Sequence, residues 1–209
     1  MFDELKQAIV SGQESNATRI VNAMLSDGTD PQKVLREGLV AGMNIVGERF
    51  KKYEMWLPEV ILAAKAMKAS TELLKPYLEK IGAGMKLGKI VIATVEGDVH
   101  DIGKNLVTMM LDAAGFDMVD LGVNVKIPAI AEAAAREKAD AVGLSALLTT
   151  TMLAMKPAIQ AIRRSNAGVK VMVGGAPITQ TYATEVGADG FAPDALRAIS
   201  VAKKLLGKE

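Results

Sequence analysis

The chain has no cysteine, one histidine and one tryptophan in 209 residues. Without thiols it can form no disulfide, no cysteine-bound zinc site and no thiolate nucleophile, a usage that suits a reducing cytoplasm. An excess of one charge is missing as well. Twenty-five lysines and arginines stand against 24 aspartates and glutamates, so the basic surplus used to hold nucleic acid or anionic lipid is absent. No apolar run is long enough to cross a bilayer, because the stretch 60–69 is interrupted by Lys65 and Lys68. The first residues, Met1-Phe2-Asp3-Glu4-Leu5-Lys6-Gln7, lack the basic and apolar regions of a signal peptide. These absences lead us to expect a cytoplasmic protein that binds neither nucleic acid nor membrane.

Half of the residues are hydrophobic, enough for a sizeable core, and they follow two different patterns. Up to about Lys80 the spacing is helical. Phe2, Leu5, Ile9 and Val10 form one stripe, and Ala17, Ile20, Val21 and Met24 form a second. Asp30-Pro31 is a good N-cap followed by proline in the first turn, and Val34, Leu35, Leu39, Met43 and Val46 continue to Phe50. Leu57-Pro58-Glu59 opens a fourth helix with Ile61, Leu62, Met67, Leu73, Leu74 and Leu78 as its apolar side. Four such helices joined by short connections predict an antiparallel four-helix bundle over residues 1–81, because each must bury its stripe against a neighbour. The glycine-rich stretch 82–88 is read as a linker and hinge region.

From residue 89 to 209 strands alternate with helices. Apolar runs at Ile90–Val95, Met118–Gly122, Ala141–Ser145, Val169–Val173 and Gly190–Ala192 are separated by helical segments at Lys104–Ala114, Ile127–Lys138, Met152–Arg164, from Thr179, and at Asp194–Leu206. The repeated unit predicts a flavodoxin-like (Rossmann-like) α/β domain with a five-stranded parallel sheet. Such sheets bind ligands beyond the carboxyl ends of their strands. His100, Ser145 and Gly174-Gly175 all fall at or just past such ends, so they are expected to converge on one crevice.

The lone histidine lies in Glu96-Gly97-Asp98-Val99-His100-Asp101-Ile102-Gly103-Lys104-Asn105. The motif Asp98-x-His100-x-x-Gly103, followed by Ser145-x-Leu147 and then Gly174-Gly175, resembles the cobalamin-binding signature. The stretch around His100 closely resembles the same loop of cobalamin-dependent methionine synthase, and Val46-Gly47-Glu48-Arg49-Phe50 with Met55-Trp56-Leu57-Pro58 resembles the helical cap that precedes that domain. With no room for a substrate module, the cap and cobalamin pair looks like the small corrinoid proteins of methyltransferase systems.

The resemblance implies roles. His100 would displace the cofactor's dimethylbenzimidazole and bind cobalt from below (base-off, His-on), as neutral imidazole is a good ligand for transition metals. Asp98 would hold the other ring nitrogen. A relay serine of the family is replaced here by Thr151. Val99, Asp101, Ile102, Gly103, Ser145, Leu147, Thr149, Gly174 and Gly175 would line the cofactor or its displaced nucleotide tail, with Gly122, Val123 and Phe191 at the border. Phe50, Trp56 and Leu57 would cover the methyl face. Each also has an ordinary reading: Thr149-Thr150-Thr151 as a polar helix start, Gly174-Gly175 as a strand-ending turn, Phe50, Trp56 and Leu57 as bundle core.

The implied function is a methyl carrier, not a catalyst on its own, with cobalt as the nucleophile. It would serve a substrate-specific methyltransferase, a second methyltransferase with tetrahydrofolate or coenzyme M as acceptor, and a reductive activator. The methyl donor is left open among methylamines, methanol, betaines and aryl methyl ethers. Three alternatives are weaker. A cobalamin-dependent sensor would carry a DNA-binding module and a second histidine, an adenosylcobalamin mutase subunit would lack this cap, and a flavin-binding or phosphate-accepting domain would leave the Asp98/His100/Gly103 spacing unexplained.

Overall fold

The computed structural model describes residues 1–80 and 87–208. The chain divides into two compact units, Met1–Met85 and Lys86–Glu209. Of the expected linker, only Leu87 and Gly88 are described; 82–86 lie outside the described residues.

The first unit has four helical rods. They are α1 (Phe2–Val10), α2 (Glu14–Ser26), a continuous rod made of α3 (Pro31–Lys33), a π-helical segment Val34–Val40 and α4 (Ala41–Lys51), and α5 (Leu57–Lys80). The third rod starts where its cap places it: the Asp30 carboxylate accepts the Gln32 N–H at 2.9 Å, with Pro31 in the first turn. The α5 start is held by the Trp56 N–H, which donates to Glu59 Oε2 at 2.7 Å, as in one half of a capping box.

Most of the expected stripes are buried, including Leu5, Ile9, Ala17, Val21, Met24, Val34, Leu39 and Val46. The stripe on α5 needs correction. Leu62 is 50% exposed, and the buried side is Val60, Ala63, Ala64, Ala66, Met67, Ser70, Leu74 and Leu78. Small alanines let the helix axis come close to its neighbours, so the buried face sits on them and not on the bulkier residues beside them. No described helix is long and apolar enough to cross a membrane.

The second unit is a five-stranded sheet in the order β2-β1-β3-β4-β5, all pairs parallel. The strands are β1 (Lys89–Thr94), β2 (Asp117–Asp120), β3 (Ala141–Ser145), β4 (Lys170–Gly174) and β5 (Gly190–Ala192). Their crossover helices are α6 (Ile102–Ala113), α7 (Ile127–Arg136), α8 (Met155–Ser165) and α9 (Gln180–Glu185); α10 (Ala195–Leu205) closes the chain. Side chains alternate across the sheet. Val91, Ala93 and Val95 join Ile130 and Ala134 of α7 and Ile159 and Ile162 of α8 in one core. Ile90 joins Leu111 of α6 and Ala198 and Ala202 of α10 in the other.

The strand order reverses direction between β1 and β3, which opens a crevice beyond their carboxyl ends. Register brings these ends level, with Thr94 opposite Ser145 and Ser145 opposite Gly174.

Candidate functional site

Asp98 and His100 sit on the loop after β1, and Leu147, Leu148 and Thr151 on the loop after β3, so the site straddles the crevice. Its centre is the Asp98 carboxylate, which is fully buried. Oδ1 accepts the His100 backbone N–H at 3.0 Å and lies 2.8 Å from His100 Nδ1. Oδ2 accepts the Thr151 hydroxyl at 2.5 Å, the Leu147 N–H at 2.8 Å and the Leu148 N–H at 3.4 Å. Burial alone would push this carboxyl up. The hydrogen bonds from Thr151, Leu147, the His100 backbone and the His100 ring outweigh it and hold the group well below the usual carboxylate range. An ionised carboxylate only accepts, so the contact puts a ring proton on Nδ1, and in that neutral tautomer Nε2 carries the lone pair. The His100 side chain is 45% exposed, so Nε2 is available to a metal.

The loop itself is fixed at several further points. The buried Thr94 hydroxyl donates to the His100 carbonyl at 3.0 Å. Asn124, in the left-handed region at φ 50°, donates its N–H to the Asp98 carbonyl at 2.8 Å and accepts the Gly97 N–H on Oδ1 at 2.8 Å. The expected site set omitted Thr94, Leu148 and Asn124. Asn124 carried one readable signal, as asparagine after Gly122-Val123 suits a left-handed turn position. The contacts of Leu148 go through its backbone and left no trace in residue type.

Around His100 the crevice mouth is apolar. Val99, Ile102, Val123, Leu147, Leu148 and Leu153 are exposed, and they are the exposed large hydrophobic residues described for this unit. All six follow the carboxyl ends of β1, β2 or β3. Water-facing aliphatic surface gathered at one place marks a binding site. A Cβ built on Gly103 would meet open space, so the first turn of α6 leaves room beside the imidazole. Asp101 and Thr149 lie exposed on the same rim, and Ser145 is half-buried at the end of β3.

Gly174 and Gly175 have a reason internal to the chain. A Cβ on Gly175 would lie 1.8 Å from the Ala146 carbonyl oxygen, and one on Gly174 would lie 2.9 Å from that of Ala192; this is a close approach of backbones. Phe191 is packed against the sheet core. In the helical unit, Trp56 is 76% exposed and Leu57 is exposed, while Phe50 is half-buried. Trp56 and Leu57 are therefore not bundle core; Met55 takes the buried position beside them.

The donor set suits a particular kind of metal group. Among the described residues no three histidines, aspartates or glutamates cluster to hold an ion, and one imidazole is a poor site for a bare cation. It suffices for a metal that brings its own equatorial nitrogens in a macrocycle. The aliphatic rim and the gap at Gly103 fit the flat apolar face of such a ring.

A doubly wound sheet with this imidazole and a buried carboxylate at its switch point is a ligand-binding α/β unit. Residues 88–200 match the family described as the B12 binding domain, and residues 1–75 match a second family of the same description. The chain belongs to the B12 binding domain family. It is 42% identical over 212 residues to a corrinoid protein of Desulfitobacterium hafniense (strain Y51), covering 100% of this chain and 98% of that one. It is 43% identical over 208 residues to the dimethylamine corrinoid protein of Methanosarcina barkeri, covering 99% and 97%. Among solved structures it is similar to the methanol:cobalamin methyltransferase complex of Methanosarcina barkeri, with TM-score 0.84 and 30% identity over 99% of this chain and 79% of that one.

Proposed function

We propose that this protein is a methyl carrier that presents a corrinoid in turn to two methyltransferases. One loads the methyl group from its substrate, and the other passes it to tetrahydrofolate or a thiol such as coenzyme M; a reductive activator restores the cofactor after stray oxidation. When bound, the corrinoid cobalt supplies the group-transfer chemistry, and the chain holds, shields and tunes it. The carrying observation is the lone imidazole, backed by a buried carboxylate and ringed by aliphatic side chains, in a chain similar over its whole length to the dimethylamine corrinoid protein. That likeness also favours a methylated amine as donor, chosen by the partner enzyme.

In this reading His100 Nε2 would bind the cobalt in place of the benzimidazole. Asp98 fixes the ring tautomer and orientation, and Thr151 and the Leu147 N–H hold Asp98 in place. Val99, Ile102, Gly103 and Leu147 would face the ring, and Ser145 would border the tail. Loading the purified protein with cobalamin tests this. The bound cofactor should show a detached benzimidazole, and His100→Ala should abolish the nitrogen-ligated spectrum. A spectrum with the benzimidazole still on cobalt, unchanged by His100→Ala, would overturn the proposal.

A further inference from the structure

Lys104 is the one cation among the buried residues described, with its side chain 1% exposed. It sits in the first turn of α6, four residues after His100. Its ammonium donates to Asp120 at the end of β2 and to Asn105 Oδ1 at 2.6 Å. Asn105 in turn donates its side-chain amide to Asp101 Oδ2 at 3.0 Å and its N–H to the Asp101 carbonyl at 2.7 Å. On the other side, Asp120 Oδ1 accepts the Gly122 N–H at 2.8 Å, and this same β2 loop carries Asn124, which holds the Asp98 carbonyl and the Gly97 N–H. The contacts close a ring around the His100 loop. It runs from Asp101 through Asn105, Lys104 and Asp120 to the β2 loop and back to Asp98.

A buried ion pair is a weak source of stability, since the cost of desolvating two charges offsets most of their attraction. An aliphatic side chain of similar length would fill the same space at the helix–sheet contact. The charge makes sense where the task is to fix two loops at a set distance and angle. We infer that Lys104 is a positioning residue for His100. It clamps the β2 loop to the first turn of α6 and so fixes the height and tilt of the imidazole over the crevice. The inference rests on His100 being the lower ligand. It adds that the orientation is already set in the corrinoid-free protein by a group that never touches the cofactor.

The single histidine makes this testable without a loaded cofactor. The full chain is labelled with ring 15N-histidine, and its imidazole shifts are read at alkaline pH. The wild type should show the Nδ1–H tautomer alone. Lys104→Met should populate the Nε2–H tautomer and weaken cobalamin binding about tenfold, the lower end for groups that orient a metal ligand. Its cooperative melting should be kept. The double variant Lys104→Met/Asp120→Asn removes both charges, leaves no unpaired carboxylate, and should behave the same way.

Wild-type tautomer and wild-type cobalamin affinity in both variants would overturn the inference. Loss of folding in both would overturn it too, because the pair would then be structural. Failure of the ligand reading looks different: His100→Ala would leave the cobalamin spectrum unchanged, whatever the ring shifts of the Lys104 variants.

Discussion

Replacing Asp98 with asparagine keeps its shape and removes its charge, and the geometry fixes the consequences. The carboxylate accepts four hydrogen bonds at 3.0 Å or less: two from His100, one from Leu147 and one from Thr151. Asparagine can accept on one side only. If its NH2 faces Leu147 and Thr151, the Thr151 hydroxyl can turn to the Leu148 carbonyl, 3.1 Å away, but the Leu147 N–H is stranded. If its NH2 faces His100, the His100 N–H is stranded and Nδ1 must become an acceptor, which moves the ring proton to Nε2 and blocks the metal-binding lone pair. Either way a buried donor loses its partner and charged bonds become neutral ones, a loss of about 3 kcal/mol. For a unit of this size that lowers the melting midpoint by on the order of 10 °C. Cobalamin binding should weaken by about 10- to 100-fold. Thermal melts of the corrinoid-free protein, with a titration against cobalamin followed by its absorbance, measure both. A variant that melts within a degree or two of wild type and binds cobalamin equally well would refute the claim that this carboxylate organises the site.

The other consequences are more local. Thr151→Ser keeps the hydroxyl 2.5 Å from Asp98 and should retain wild-type cobalamin affinity, whereas Thr151→Val should lower the melting stability by about 2 kcal/mol; equal stability of the two variants would count against the bond. Gly175→Ala places a Cβ against the Ala146 carbonyl at φ 130° and should cost about 3 kcal/mol. Gly103→Ala meets open space and should raise corrinoid-free stability by about 0.5 kcal/mol as a helix residue, yet weaken cobalamin binding; undiminished binding would show that no ring lies there. Burial, with help from Glu185, raises the Tyr182 phenol above its ordinary value, and this phenol donates to the Met152 carbonyl at 2.5 Å. Its contribution is therefore complete below about pH 10, the unfolded value, and is lost as pH rises through the higher folded value. Tyr182→Phe should cost about 1 kcal/mol at neutral pH, and the gap between it and wild type should close in alkaline melts.

Local chemistry made much of this legible in the sequence. Asp30, Thr179 and Asp194 each cap the helix that their residue type announces, and the β-branched runs became strands within a residue or two of their expected ends. Asp98 and His100 could be named from the motif, at a strand end that a parallel sheet must bring level with its neighbours, whereas Thr151 could be named only through the family resemblance. What stayed hidden depended on which strands are neighbours. Lys104 after a glycine in a first helical turn reads as a solvated charge; only the placement of β2 beside β1 buries it against Asp120. At Gly174 and Gly175 the close approach of the Ala192 and Ala146 carbonyls, which leaves no space for a Cβ, could not be read from residue type. On α5, large residues such as Leu62 outweigh alanines in any apolar count, while packing favoured the alanines.

One measurement bears on the central claim most directly, because the chain holds a single histidine. The protein is prepared with 15N-histidine, loaded with cobalamin in its one-electron-reduced paramagnetic form, and examined by electron paramagnetic resonance. If His100 is the axial ligand, each cobalt line splits into a triplet with natural-abundance protein and into a doublet with the labelled protein. A triplet that persists in the labelled protein would place the cofactor's own benzimidazole on cobalt and contradict the account.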